Sequence, residues 1–142
     1  MKTRSALFLW LSAFLLLSLI ELPVVYAQST DELIMANGNA ARGRLVFGPC
    51  RSCHYAEKFM GHNNGPNLHR IFGKVAGKQE GFEYYSELFK NAEFVWTPDL
   101  LYRWLANPQE MFPGSSMMSL GVPDPQQRSD LIAFLRLASV RD

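Results

Sequence analysis

Cysteine is scarce in this chain: its 142 residues hold two, Cys50 and Cys53. A disulfide between them would close a loop too small to stabilise much, because the loop-closure gain grows with the residues enclosed. Structural zinc wants four ligands, and no second Cys or His pair with finger-like spacing follows. An excess of charge of one sign is lacking too, with 14 basic against 13 acidic residues and a net charge of +1. The charges are interspersed and form no basic patch, which argues against nucleic acid as a partner, since counterion release needs a basic face. There is no low-complexity tract, no internal repeat and no sustained period-two alternation to suggest a sheet. Length and ordinary composition fit one domain.

Long apolar runs are also missing, apart from one at the start. Lys2 and Arg4 precede an uncharged stretch from Ala6 to Ile20, followed by Glu21, Pro23 and Val25-Tyr26-Ala27. A basic start, a short apolar run and an A-x-A-like end describe a secretory signal peptide over residues 1–27, cut between Ala27 and Gln28. The competing reading is a retained anchor facing the periplasm. The apolar run is shorter than the ~20 residues a spanning helix needs, unless Glu21 and Pro23 are accepted within it. Loss of the leader takes the basic count from 14 to 12 (Lys2, Arg4) and the acidic count from 13 to 12 (Glu21), leaving a formally neutral chain. Export directs the expectation to the periplasm.

The two cysteines stand in Cys50-Arg51-Ser52-Cys53-His54. In an oxidising compartment a disulfide is the default for a cysteine pair. A thioredoxin-like redox pair expects a βαβ context that is absent here. The remaining reading is attachment of a c-type haem, for which Cys-x-x-Cys-His is the signature. Two thiols three positions apart share one face of a helical turn, so both can reach the vinyl groups of one porphyrin. The next residue, His54, is then carried beneath the ring with its imidazole toward the iron. Covalent attachment also retains the cofactor in a domain too small to wrap it in a large core.

A haem carrier needs a second axial ligand, and the candidates are His62, His69 and Met35, Met60, Met111, Met117 and Met118. Most methionines fill gaps in cores. Met60 and His62 stand too close to His54 in sequence to come round to the opposite face. His69, in Asn67-Leu68-His69-Arg70, has polar neighbours and is expected at the surface. Met111 precedes the Pro-Gly turn. Met117 and Met118 follow Pro113-Gly114-Ser115-Ser116, which lays an extended loop along a flat surface. Neighbours on such a loop point in opposite directions, so one of the two is the candidate. A neutral, soft thioether binds ferrous iron well.

The coarse pattern is all-α. A first helix is expected from Asn39 to about Ser52 and a short one from Tyr84 to Lys90. Thr97-Pro98-Asp99 opens a third that runs to about Ala106 and stops before Asn107-Pro108. Asp124-Pro125 opens the last, with Leu131, Ile132, Phe134 and Leu135 on one stripe. Residues 28–38 read as an N-terminal extension and 39–142 as the domain.

From Asn39 onward the chain resembles the class I cytochromes c, close to the bacterial c2 and mitochondrial group. The residues that carry the likeness are Gly43, Phe47, Gly65-Pro66-Asn67-Leu68, Gly81-Phe82-x-Tyr84 and Trp96. To these add Leu105-x-Asn107-Pro108, Pro113-Gly114-x-x-Met117 and Asp130-Leu131-Ile132-x-Phe134-Leu135. The resemblance implies a cytochrome c fold with crossing N- and C-terminal helices at Gly43, Phe47 and Phe134. It implies one haem c, covalent through Cys50 and Cys53, with His54 and Met117 as axial ligands. The Pro66 carbonyl would orient His54, and Trp96 and Tyr84 would hydrogen-bond a haem propionate. The implied activity is single-electron transfer by a monomeric carrier between redox partner proteins, with no catalytic residues. A dedicated subunit of a periplasmic dehydrogenase is the alternative, and a haem peroxidase or gas sensor a more distant one.

Two departures from the family pattern bear on function. Trp104 stands where a tyrosine is usual beside the axial methionine, and an indole donates a hydrogen bond but accepts none. Gln109, Glu110, Ser116 and Asp124 occupy positions where mitochondrial relatives ring the haem edge with lysines. Their loss implies a partner face that is mainly apolar around Gly114 to Leu120, with little steering by charge.

Overall fold

The computed structural model describes residues 28–140; the leader expected over 1–27 lies outside the described residues. Among the described residues six α-helices follow in order: α1 Thr30–Asn37, α2 Ala40–Val46, α3 Glu87–Lys90, α4 Pro98–Trp104, α5 Pro108–Met111 and α6 Pro125–Ala138. Among the described residues there is no strand, only one antiparallel bridge between Val75 and Val95. No described helix is long and apolar enough to cross a membrane.

The helix starts follow from side chains that satisfy the orphan N–H groups of a first turn. Thr97 accepts from the Leu100 amide at 3.1 Å and Asp124 from that of Gln127 at 2.7 Å, each with proline at the first helical position. The helix expected over Asn39–Ser52 is shorter. Asn39 caps α2 at Arg42, but α2 ends at Val46 and a 3-10 turn carries Gly48–Ser52. The break lies at Gly48-Pro49, where proline disfavours the α conformation in the residue before it. The short helix expected at Tyr84–Lys90 begins only at Glu87. Two elements were not anticipated. Asn107 and Pro108, which stop α4, also start α5, because the Asn107 carbonyl oxygen of the side chain accepts from the Glu110 amide. The N-terminal extension holds α1, opened by a capping box in which Ser29 and Glu32 each bond the other's amide.

The scaffold centres on α2 crossing α6. Gly43 makes the approach possible: a Cβ there would stand 1.9 Å from the Asp130 carbonyl oxygen and 2.8 Å from the Phe134 Cβ. Phe47 and Phe134 meet beside it with ring centroids 5.1 Å apart, as the resemblance implied. Leu131, Ile132 and Leu135 bury the expected stripe of α6. Helix α1 lies over α6 and α4, with Ile34 buried, and Asp31 accepts from the Asp99 amide at 2.6 Å. Opposite the crossing, Phe89, Phe94, Trp96, Trp104 and Phe112 form an aromatic wall, with Trp96 and Trp104 centroids 4.9 Å apart. Hydrogen bonds from Trp96 to the Lys74 carbonyl and from Gly73 to the Trp96 carbonyl, both 2.9 Å, tie this wall to the loop before it.

Candidate functional site

Between the crossing helices and the aromatic wall lies a cleft of about 310 Å³, open on one side. Cys50, Cys53 and His54 border it together, delivered by the 3-10 turn that Pro49 starts. The backbone there is fixed: the His54 and Cys53 amides both donate to the Cys50 carbonyl, at 2.8 and 3.0 Å. His54 Nδ1 is 2.7 Å from the Pro66 carbonyl oxygen. A carbonyl only accepts, so Nδ1 carries the proton and Nε2 keeps a free lone pair. Burial is the larger influence on this imidazole and lowers its pKa, favouring the neutral form a metal requires; the bond to Pro66 partly opposes it. Gly65 lets the chain pass directly behind the ring, since a Cβ there would lie 2.3 Å from Cε1. Burial pushes the Cys50 thiol up from its ordinary pKa, so it is a poor spontaneous nucleophile.

The loop that presents Pro66 is held from both sides. His62, set aside as a ligand in the sequence, accepts from the Asn67 amide through Nδ1 at 3.0 Å and donates from Nε2 to the Glu80 carbonyl at 2.8 Å. The Asn67 side chain donates to the Glu57 and Gly61 carbonyls, both at 2.8 Å, and accepts from the His69 amide at 2.7 Å. That last bond turns the chain inward, and His69 is 8% exposed with neither ring nitrogen hydrogen-bonded. The expectation of a surface His69 is therefore corrected. Polar neighbours misled it, because Asn67 spends its polarity on the backbone rather than on solvent.

Met117 borders the same cleft, half-buried and packed against the core. Met118 touches the rim but is 95% exposed. The two neighbours do point apart, and only Met117 is directed inward. Trp96 lines the cleft and is buried; Tyr84 lines it at the mouth and is 81% exposed. Tyr85 and Lys74 are among the lining residues not singled out in the sequence. Tyr85 is half-buried beside Phe82, and burial raises its hydroxyl pKa. Lys74 brings an ammonium group into the cleft, bonded to the His69 carbonyl at 2.8 Å and Gln79 Oε1 at 2.6 Å. Both acceptors are neutral, and burial lowers the Lys74 pKa. Nothing local in the sequence distinguishes this lysine; only the loop path puts it here. Trp104 also lines the cleft, and its indole N–H donates to the Pro108 carbonyl at 3.3 Å. The indole is thus a packing face with its single donor already committed.

No protein-family model matches the chain. Among curated proteins, a cytochrome c of Chlamydomonas reinhardtii is 44% identical over 103 residues, which is 72% of this chain and 91% of that protein. The chain belongs to the cytochrome c family. A cytochrome c of Guizotia abyssinica is 38% identical over 103 residues, 72% of this chain and 92% of its own. The solved structure of cytochrome cH from Methylobacterium extorquens superposes with a TM-score of 0.64 at 35% identity, covering 70% of this chain and 99% of that one. As a class I cytochrome c the protein is an electron carrier rather than an enzyme, holds one covalent haem c and works with redox partner proteins. The cleft fits that cofactor on its own chemistry. It offers two thiols, an imidazole lone pair, a thioether, an apolar wall, and an ammonium group whose two acceptors are both neutral.

Proposed function

We propose that the chain is a monomeric periplasmic cytochrome c that shuttles single electrons. Cys50 and Cys53 would attach the haem, and His54 and Met117 would ligate its iron. The observation that carries this reading is the convergence on one cleft of both thiols, a His54 whose Nδ1 is committed to Pro66, and an inward Met117 beside an outward Met118. Bound there, the haem supplies an iron that takes up and returns one electron, and His/Met ligation raises its potential, as the family exemplifies.

The chain's own residues set the conditions. Pro66 holds the imidazole in one tautomer and increases its basicity. Phe47, Leu131 and Leu135 exclude water from the inner wall, which disfavours the more positive oxidised state. Trp96, Tyr84 and Lys74, which line the cleft, would meet the haem's carboxylates. Residues 1–27 act as the export leader and are removed, and residues 39–142 form the haem domain. Met118, which borders the cleft, and Leu120, two residues on, are both 95% exposed and offer an apolar docking surface. Small contacts of this kind suit brief redox encounters.

Absorption spectra of the protein purified after expression with haem-maturation machinery test this reading. The haem is expected to survive acid extraction and to give a c-type pyridine haemochrome. The ferric form is expected to show a methionine–iron charge-transfer band. Met117→Ala should abolish that band and let the ferrous protein bind carbon monoxide rapidly, while Met118→Ala should do neither. Rapid carbon monoxide binding by the unmutated protein would overturn Met117 as the ligand.

A further inference from the structure

Resting on the reading of Met117 as the axial ligand, we propose that Gln109 is a positioning residue that latches the methionine loop and keeps Met117 on the haem. Gln109 Nε2 has two hydrogens, and the structure uses both. It donates to the Ser115 carbonyl at 3.2 Å and to the Met117 carbonyl at 2.7 Å. The Met117 amide in turn donates to Ser115 Oγ at 3.2 Å, and the Ser115 amide to the Phe112 carbonyl at 3.1 Å. Both backbone groups of Met117 are therefore bound, one on either side of its Cα. That fixes which way its side chain leaves the loop, and Met118 is left facing out.

The anchor on which Gln109 stands is itself rigid. It is the second residue of α5, whose Pro108 is buried and whose Glu110 is held by Asn107 through a side-chain bond at 2.9 Å. The carbonyl of Pro108 accepts the Trp104 indole N–H. A chain of contacts thus runs from the tryptophan on the cleft wall through Pro108 and Gln109 to Met117. Trp104 acts on the methionine by holding the latch rather than by bonding the sulfur. A carboxylate or an alanine at 109 has no hydrogen to donate to either carbonyl.

Two bonds of ordinary strength favour the closed loop by on the order of 10- to 100-fold. Imidazole added to the ferric protein competes with Met117 and reads that equilibrium directly. Gln109→Ala removes both donors, and the isosteric Gln109→Glu replaces them with acceptors. Each is expected to raise imidazole affinity on the order of tenfold or more. Each should also weaken the methionine–iron band, with the c-type haemochrome and the helical circular dichroism unchanged. If both variants keep the original band and imidazole affinity, the latch is refuted while the Met117 assignment stands. If the unmutated protein itself shows no such band, both fall. Should Gln109→Ala fail to mature, Gln109→Glu carries the test alone.

Discussion

Asp130 is 1% exposed, yet it is a carboxylate that gathers four donors. The Arg42 guanidinium bonds it twice, at 2.6 and 2.8 Å, the Asn39 amide at 2.7 Å and the Gln126 amide group at 3.0 Å. Arg42 is the chief cause of an Asp130 pKa held below the ordinary carboxylate range, with burial opposing it. The folded state therefore binds this proton less tightly than the unfolded chain does. Its stabilising contribution is complete above the unfolded pKa of about 4 and is lost as pH falls through the depressed native value. Asp130→Asn is expected to destabilise the protein at neutral pH by about 1–3 kcal/mol, because the cluster of donors loses its acceptor. The deficit should shrink as pH falls below about 4, where the unfolded chain's carboxylate takes up a proton that the native one still refuses. Urea unfolding at neutral and acid pH measures both; a deficit independent of pH would refute the assignment.

At the scale of elements, the α2–α6 crossing sets the shape of the cleft, and its closeness depends on Gly43. Alanine there would favour α2 by about 1 kcal/mol on propensity alone. The added Cβ would meet the Asp130 carbonyl at 1.9 Å, and backbone cannot swing aside as a long side chain can. Overpacking of this kind outweighs the propensity gain. Gly43→Ala is expected to lose about 3 kcal/mol, read as an earlier thermal midpoint; an unchanged or higher midpoint would mean the helices can part freely. Helix α1 adds a second support to the same frame. Asp31 satisfies the Asp99 amide in the first turn of α4 while Thr97 satisfies that of Leu100, so two residues 66 positions apart share one helix start. Since α4 carries Trp104, the extension braces the cleft wall.

Over the whole molecule, charge is nearly balanced, and three of the four positions that differ from a basic ring have internal work. Gln109 binds the methionine loop, Glu110 bonds Asn107, and Asp124 caps α6. Met118 and Tyr84 stand outward at the cleft, and Leu120 is exposed two residues beyond Met118. Association with a redox partner through such a face gains little from long-range steering. Raising salt from low to moderate concentration is expected to change the bimolecular rate of reduction by the physiological partner by less than about tenfold. Stopped-flow kinetics across ionic strength measure this, and a fall of several orders of magnitude would sink the apolar face.

The sequence by itself determined the attachment motif, the crossing glycine, the Pro66 partner of His54 and the proline-marked helix starts. Each of these is a local rule, a spacing or a cap acting over a few residues, or a pattern shared with a family. It also held the Ser29-x-x-Glu32 capping box of α1 in plain view, where an extension was expected instead. The tertiary structure decided what local rules cannot reach. Asn67 turned His69 inward by spending its side chain on distant carbonyls, and the loop path brought the Lys74 ammonium into the cleft. Of two adjacent methionines with the same chemistry, one faces in because Gln109 and Ser115 bind the backbone on either side of it. Chemistry at the Cys50–His54 motif was legible because it is written in consecutive residues. The direction of Met117 depends on hydrogen bonds closed only once the chain has folded.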